Sequence, residues 1–192
     1  MTDRPDLSAA FEASGLLDVA YTLEDSPVGL LLLAATPRGL ARVAYLEPGD
    51  GPGEVGEDAV LTDLSRRISP RVLRAPARLD ATRRELEQFF DGRLTSFEVP
   101  IDWRLTRPGF TRAVLRATNR IPFGETSSYK GVATAAGSPN AFRAAGSALG
   151  SNPLPIVVPC HRVLHAGGGL GGYTGGLDRK KVLLTVEGHQ LR

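Results

Sequence analysis

Apolar positions along this chain follow two different rhythms. From Val28 to Tyr45, Leu, Val and Ala run almost unbroken except at Thr36-Pro37-Arg38-Gly39, which predicts two strands joined by a turn, hence a hairpin. Residues 47 to 58 are acidic and dense in Gly and Pro, and read as a surface loop ahead of a short helix beginning near Ala59. A further helix is predicted from Ala81 to Asp91. Asp80 would be its N-cap, Leu86, Phe89 and Phe90 its core face, and Gly92 the residue past its end. Phe97 to Ile101 reads as an extended connector.

From Pro108 onward the period lengthens. Phe110, Ala113, Val114 and Ala117 recur at helical spacing, with Ile121-Pro122 as the stop. Ser127 or Ser128 can then cap a helix carrying Tyr129, Val132, Ala133 and Ala136 on one stripe, ended by Gly137. Ser138-Pro139 predicts an immediate restart, since serine is a preferred cap and proline is tolerated at the first helical position. That helix should reach about Leu149, with Gly150 after it. Two short helices joined through one glycine make a helix-turn-helix candidate, although ordinary helix hairpins share the pattern.

The second of these helices carries Ala144-Ala145-Gly146-Ser147-Ala148, a run of very small side chains. Such a slim surface either packs closely on the scaffold or lies against a DNA minor groove, which is only about 6 Å wide. Arg143 begins the run. It is either a salt-bridge residue at the core edge or a side chain inserted into a duplex in place of a base rotated out.

Composition narrows the class. At 192 residues there is room for one large domain or two small ones. No window approaches the roughly 18 consecutive apolar residues of a membrane span. The acidic N-terminus lacks the basic-then-apolar layout of a secretory signal, so a cytoplasmic location is expected. The net charge of +2 conceals two opposite halves: residues 1–100 hold 11 Lys/Arg and 17 Asp/Glu, net −6, and residues 101–192 hold 12 and 4, net +8. A basic C-terminal half suits a polyanionic partner, or is simply a solvated basic face. One cysteine and three histidines at scattered positions permit no internal disulfide and match no zinc-ligand spacing, so neither metal nor cofactor is expected.

That cysteine stands in Pro159-Cys160-His161-Arg162, directly after the apolar run Ile156-Val157-Val158. A thiolate is a strong nucleophile near neutral pH, and a neighbouring histidine can take the thiol proton. Adjacency alone is a weak signal, because most lone cysteines are inert buried hydrophobes. Downstream, Gly167, Gly169 and Gly172 spell a Gly-x-Gly-x-x-Gly pattern, but no helix opens there and Tyr173-Thr174-Gly175-Gly176 follows. It reads as a flexible loop, not a nucleotide site.

Taken in order, several motifs from about Phe110 to Gly188 resemble the O6-alkylguanine-DNA alkyltransferases, also called methylated-DNA-protein-cysteine methyltransferases. They are Ile121-Pro122-Phe123-Gly124-Glu125-Thr126, Ser128-Tyr129, Arg143-Ala144-Ala145-Gly146, Gly150-Ser151-Asn152-Pro153, Ile156 through Val163, Gly171 through Leu177, and Glu187-Gly188. The resemblance covers roughly the last 80 residues in motif and the first 100 only in layout. It implies a two-domain α+β (α/β) fold: residues 1–100 a small N-terminal sheet-and-helix scaffold, residues 101–192 a mainly helical domain with the helix-turn-helix and the active-site cysteine. It also implies direct-reversal DNA repair, in which the cysteine takes an alkyl group from O6-alkylguanine in duplex DNA after base flipping, and keeps it, with O4-alkylthymine as a further candidate substrate.

Under this resemblance Cys160 is the acceptor, His161 the base acting through a water, and Glu187 the acid that orients the histidine. Tyr129 assists departure of the guanine, and Asn152 orders the turn before the active-site strand. Arg143, Ala144, Ala145, Gly146 and Ser147 would contact DNA, with Arg143 filling the vacated stack. Tyr173 and Thr174 would wall the alkylguanine pocket, the Val163 and Cys160 carbonyls would accept from the base's exocyclic amine, and Lys180 would support the site. The partner is double-stranded DNA containing alkylated guanine, met by a monomer with or without cooperative assembly.

Two positions depart from the family pattern: Phe142 stands before Arg143 where relatives often have a small residue, and Pro108-Gly109-Phe110 opens the first helix. Phe142 either packs in the core or meets the DNA. Some relatives carry N-terminal zinc ligands, and this chain has none. Competing readings are a non-catalytic binder of alkylated DNA, against which Cys160 argues, a sequence-specific helix-turn-helix regulator, and a cysteine hydrolase, which would need an oxyanion hole.

Overall fold

A computed structural model describes residues 17–46 and 56–190. Most of the predicted acidic loop, residues 47–55, lies outside the described residues. Within them the chain divides into two compact units, one of 17–25, 29–46, 56–83 and 99–105, the other of 26–28, 84–98 and 106–190. Each unit has its own architecture.

The first unit is a four-stranded sheet. The predicted hairpin forms as β2 (Leu31–Thr36) and β3 (Gly39–Tyr45), antiparallel, and β1 (Val19–Glu24) pairs antiparallel with β2. A short strand β4 (Val72–Arg74) joins parallel to β1, giving the order β3-β2-β1-β4. Helix α1 (Glu57–Arg67) turns Val60 and Leu64 onto Val19, Leu32, Ala34, Ala41 and Ala44 to form the core. Beyond β3, the end of the predicted connector runs beside the sheet: the Leu40 N–H donates to the Pro100 carbonyl at 2.7 Å and the Asp102 N–H to the Leu40 carbonyl at 2.8 Å. Buried Asp102 then accepts from the Thr36 hydroxyl at 2.6 Å and from Arg104 Nε at 2.7 Å, so its charge is compensated.

Asp80 is not an N-cap. A 3₁₀ turn, Pro76–Leu79, with proline in its first turn, runs straight into helix α2 (Asp80–Phe90), and the Asp80 N–H is already bonded to the Ala77 carbonyl. Proline, and not aspartate, starts this helical segment. Leu86 and Phe89 are buried as expected, Phe90 is half-buried, and Gly92 lies past the end at φ +70°.

In the second unit α3 (Phe110–Thr118) buries Val114, Leu115, Ala117 and Thr118. Helix α4 (Tyr129–Ala135) is capped by Ser128, whose hydroxyl accepts from the Gly131 N–H at 3.0 Å, and Gly137 follows it at φ +83°. The predicted restart at Ser138-Pro139 does not occur. Those residues form a turn closed by the Ala141 N–H on the Ser138 carbonyl, with proline at its second position, and α5 runs Phe142–Gly150. Proline suits that turn position as well as it suits a helix start, which is why the sequence misplaces the boundary. Helices α3, α4 and α5 pack on one another.

The remaining elements are a two-stranded parallel pair, β5 (Ser127–Ser128) with β6 (Val163–Leu164), and the last helix, α6 (Leu177–Val186). The chain adopts the α+β class, with a sheet-and-helix N-terminal region and a helical C-terminal part. Among the described residues no helix is long and apolar enough to cross a membrane.

Candidate active site

Residues 153–163 are buried without interruption, but the apolar run before the cysteine is not a strand. It is a tight series of turns in which Ile156 takes φ +73°, a conformation that costs a β-branched residue about 1–3 kcal/mol. The turns are held from inside. The Val158 N–H donates to the Leu154 carbonyl and the Cys160 N–H to the Val158 carbonyl, both at 2.8 Å. Asn152 fastens both ends: its Oδ1 accepts from the Leu154 N–H at 3.0 Å, and its Nδ2 donates to the Val158 carbonyl at 2.9 Å and to Cys160 Sγ at 3.2 Å. This amide therefore orders the turn and touches the sulfur, a contact that no local motif announces. Cys160 opens a 3₁₀ turn, Cys160–Arg162, whose end is tied to α4 by the pairing of Ser127 with Val163 and Ser128 with Leu164.

Behind the cysteine lies a buried ionic network. His161 Nε2 is 2.8 Å from Glu187 Oε1, and both side chains are fully buried. Arg162 donates from Nε to both carboxylate oxygens and from Nη2 to Oε1 at 2.8 Å, while its Nη1 donates to the Ile121 carbonyl at 2.6 Å. Arg162 stands in the Pro159–Arg162 motif, but the sequence assigns it no role. Only the burial of Glu187 shows why a cation is needed there. Aromatic rings back the pair: Phe89 lies edge-on to His161 and to Phe123, and the Arg162 guanidinium sits 5.9 Å from the Phe123 ring.

Electrostatics assign the resting state. Burial acts to raise the Glu187 carboxyl, yet hydrogen bonds from His161 and Arg162 outweigh it, so the group is held below the usual carboxylate range. Burial pushes His161 down, against the pull of Glu187, so the imidazole is neutral at pH 7. With an ionised carboxylate on Nε2, that nitrogen carries the proton, and Nδ1 is the basic position. Nδ1 is buried with no hydrogen-bond partner among the described residues. Burial pushes the Cys160 thiol up, opposed by the Asn152 hydrogen bond and the Lys180 charge. The cysteine thus rests as a thiol and needs a base to react.

Lys180 is fully buried, and its ammonium donates to the Val163 carbonyl at 2.7 Å and to the Leu170 carbonyl. Burial lowers its pKa to about 8. It stitches β6 to the glycine loop, which is a loop as expected: the Gly168 N–H donates to the His165 carbonyl and the His165 N–H to the Gly169 carbonyl, and no helix begins before Leu177. Gly171, at φ +68°, lies so close to Tyr129 that an added Cβ would sit 2.6 Å from the phenol oxygen.

Cys160 forms part of the wall of a cavity of about 310 Å³ that is also lined by Tyr129, Gly146, Gly150, Tyr173 and Thr174. The structure thus brings together five of the singled-out residues, with Asn152, His161 and Glu187 behind them. Val163 and Lys180 do not line the cavity, and the Val163 carbonyl is taken by Lys180. The Thr174 hydroxyl closes one side by donating to the Gly150 carbonyl at 3.0 Å. On α5, Arg143, Ala144 and Ser147 are exposed, Gly146 is half-buried and Ala145 is buried against the helix's neighbours. Among the described residues no three His, Cys, Asp or Glu converge as a metal site would.

The profile of a family described as "6-O-methylguanine DNA methyltransferase, DNA binding domain" matches residues 109–189. The methylated-DNA–protein-cysteine methyltransferase of Mycolicibacterium paratuberculosis is 40% identical over 88% of this chain and 92% of its own. That of Methanosarcina barkeri is 37% identical over 90% and 99%. Among solved structures, Mycobacterium tuberculosis OGT in complex with DNA superposes with a TM-score of 0.72 at 37% identity, covering 88% of this chain and 92% of the other.

Proposed function

The chain belongs to the methylated-DNA–protein-cysteine methyltransferase family, and we propose that it repairs O6-alkylguanine in duplex DNA by moving the alkyl group onto Cys160 and keeping it. The observation that supports this reading best is the position of Cys160 in the wall of a cavity of about 310 Å³, next in the chain to the buried His161–Glu187–Arg162 network.

The base swings out of the stack, at a cost of a few kcal/mol, and enters the cavity beside Tyr129 and Tyr173. Arg143, exposed on α5, fills the space left behind, and the small face of Ala144, Gly146 and Ser147 lets the helix approach the groove. His161 Nδ1, which has no partner among the described residues, takes the thiol proton through a water, as Glu187 stabilises the imidazolium. Sγ attacks the alkyl carbon, an S–C bond forms and the C–O6 bond breaks. The electron pair leaves with the guanine, and the Tyr129 phenol donates a proton or hydrogen bond to it. Lys180 acts from behind: its charge favours the forming thiolate. The thioether product has no hydrolytic exit, so each molecule acts once. O4-alkylthymine presents the same alkyl–oxygen bond and is a second substrate of this reading. Residues 101–192 carry DNA binding and alkyl transfer, 1–100 act as scaffold, and the protein works as a cytoplasmic monomer.

Intact-mass and peptide-mass analysis after mixing with a duplex containing O6-methylguanine tests this. One methyl on Cys160, saturating at one equivalent, is expected, and Cys160→Ala should gain none while still binding the lesion. An unmodified wild-type protein that binds would instead be the non-catalytic lesion binder.

A further inference from the structure

Phe142 is 46% exposed, one of three large apolar side chains so displayed among the described residues. It opens α5, immediately before Arg143, and the Arg143 guanidinium lies 5.8 Å from the centre of its ring. An aromatic ring held in water beside a cation has two faces with different prospects. The guanidinium lies over one face, and the 46% exposure of the residue leaves surface on which a flat partner can settle.

The surroundings say what that partner is. Phe142 and Arg143 border a second hollow of about 580 Å³, lined also by Tyr129, Lys130, Gly146 and His165. Its lining carries two permanent cations and, among the described residues, no carboxylate. It therefore suits an aromatic group attached to an anionic backbone. Tyr129 and Gly146 belong to both this hollow and the Cys160 cavity, so the two lie side by side. A base delivered to Cys160 would therefore bring its neighbour in the strand close to the adjoining hollow. That neighbour has lost a stacking partner on one side, and an aromatic side chain can replace it.

We propose that Phe142 is a second DNA-wedging residue: its ring stacks on the nucleobase next to the flipped lesion while Arg143 fills the lesion's own place. This rests on the alkyl-transfer reading above and assigns Phe142 a positioning role in it. Stacking of a base on an aromatic side chain is sequence-tolerant, because every base has a π face, so the device would operate wherever the lesion occurs.

The test compares wild type, Phe142→Ala and Phe142→Tyr in two reactions: methyl transfer from O6-methylguanine in a duplex, and from the free base. The duplex carries 2-aminopurine beside the lesion, on one side and then on the other. For Phe142→Ala, the ratio of duplex rate to free-base rate should fall about ten-fold, the aminopurine response at one of the two positions should vanish, and Phe142→Tyr should restore both. Equal loss in the two reactions would make Phe142 a packing residue and overturn the proposal. So would an unchanged ratio, or an unaltered aminopurine response with only assembly of protein copies along DNA affected. A wild-type protein that alkylates Cys160 from neither substrate would overturn the alkyl-transfer reading along with the wedge.

Discussion

At the scale of single residues the site is governed by what burial does to charge. Glu187 carries the full negative charge of the network, and it is tolerable only because Arg162 and His161 both hydrogen-bond to it. His161 is held neutral, with its pKa pushed down by burial. A histidine whose folded pKa lies below its unfolded value of about 6.5 binds fewer protons folded than unfolded, so stability falls as pH drops below that value. Glu187 acts in the same direction lower down. Its depressed pKa contributes stability that is present above the unfolded value near 4.3 and lost as pH falls through the folded value. The urea midpoint should therefore fall between pH 7 and pH 5, where His161 bears on stability and Glu187 stays ionised, and His161→Asn should remove much of that fall. A midpoint equally pH-dependent in the variant would place the acid sensitivity elsewhere.

At the scale of elements, local signals were readable wherever a short motif fixes the backbone alone. The turn at Thr36-Pro37-Arg38-Gly39, the Ser128 cap and the Gly137 stop all formed as their chemistry dictates. What could not be read depends on distant partners. Strand β4 is three residues long and exists because β1, some fifty residues earlier, offers a parallel edge. Ile156 takes its left-handed turn because Asn152 and the surrounding packing hold it, and the sequence shows only an apolar run. Arg162 was visible as a residue but not as a partner, since its role follows from where Glu187 is buried. Gly39 shows the same coupling in testable form. It stands at φ +129°, and an added Cβ would lie 2.2 Å from the Pro100 carbonyl oxygen, which is itself bonded to the Leu40 N–H. Backbone strain and the clash act together, so Gly39→Ala should destabilise by roughly 2–4 kcal/mol. Chemical denaturation measures this directly, and a loss below about 0.5 kcal/mol, the range of neutral surface changes, would mean that the 99–105 segment yields freely.

At the scale of the whole molecule, charge is distributed by function more than by stability. The net +2 is the difference between an N-terminal half at −6 and a C-terminal half at +8, and the C-terminal half is the one that holds Cys160, α5 and both cavities. An overall charge this small gives little long-range attraction to DNA, so the attraction must come from cations gathered on one stretch of chain, such as Lys130 and Arg143. Each phosphate neutralised releases counterions, and the logarithm of the affinity falls with the logarithm of salt by roughly 0.9 per contact. The reaction with free O6-methylguanine involves no phosphate. Raising salt from 50 to 200 mM should therefore weaken binding to a lesion-bearing duplex steeply while leaving the free-base rate nearly constant. Measured side by side, the two curves separate encounter from chemistry: a free-base rate that falls in parallel would show salt acting on the His161–Glu187–Arg162 network itself, and a flat duplex curve would deny the basic half its part in finding DNA.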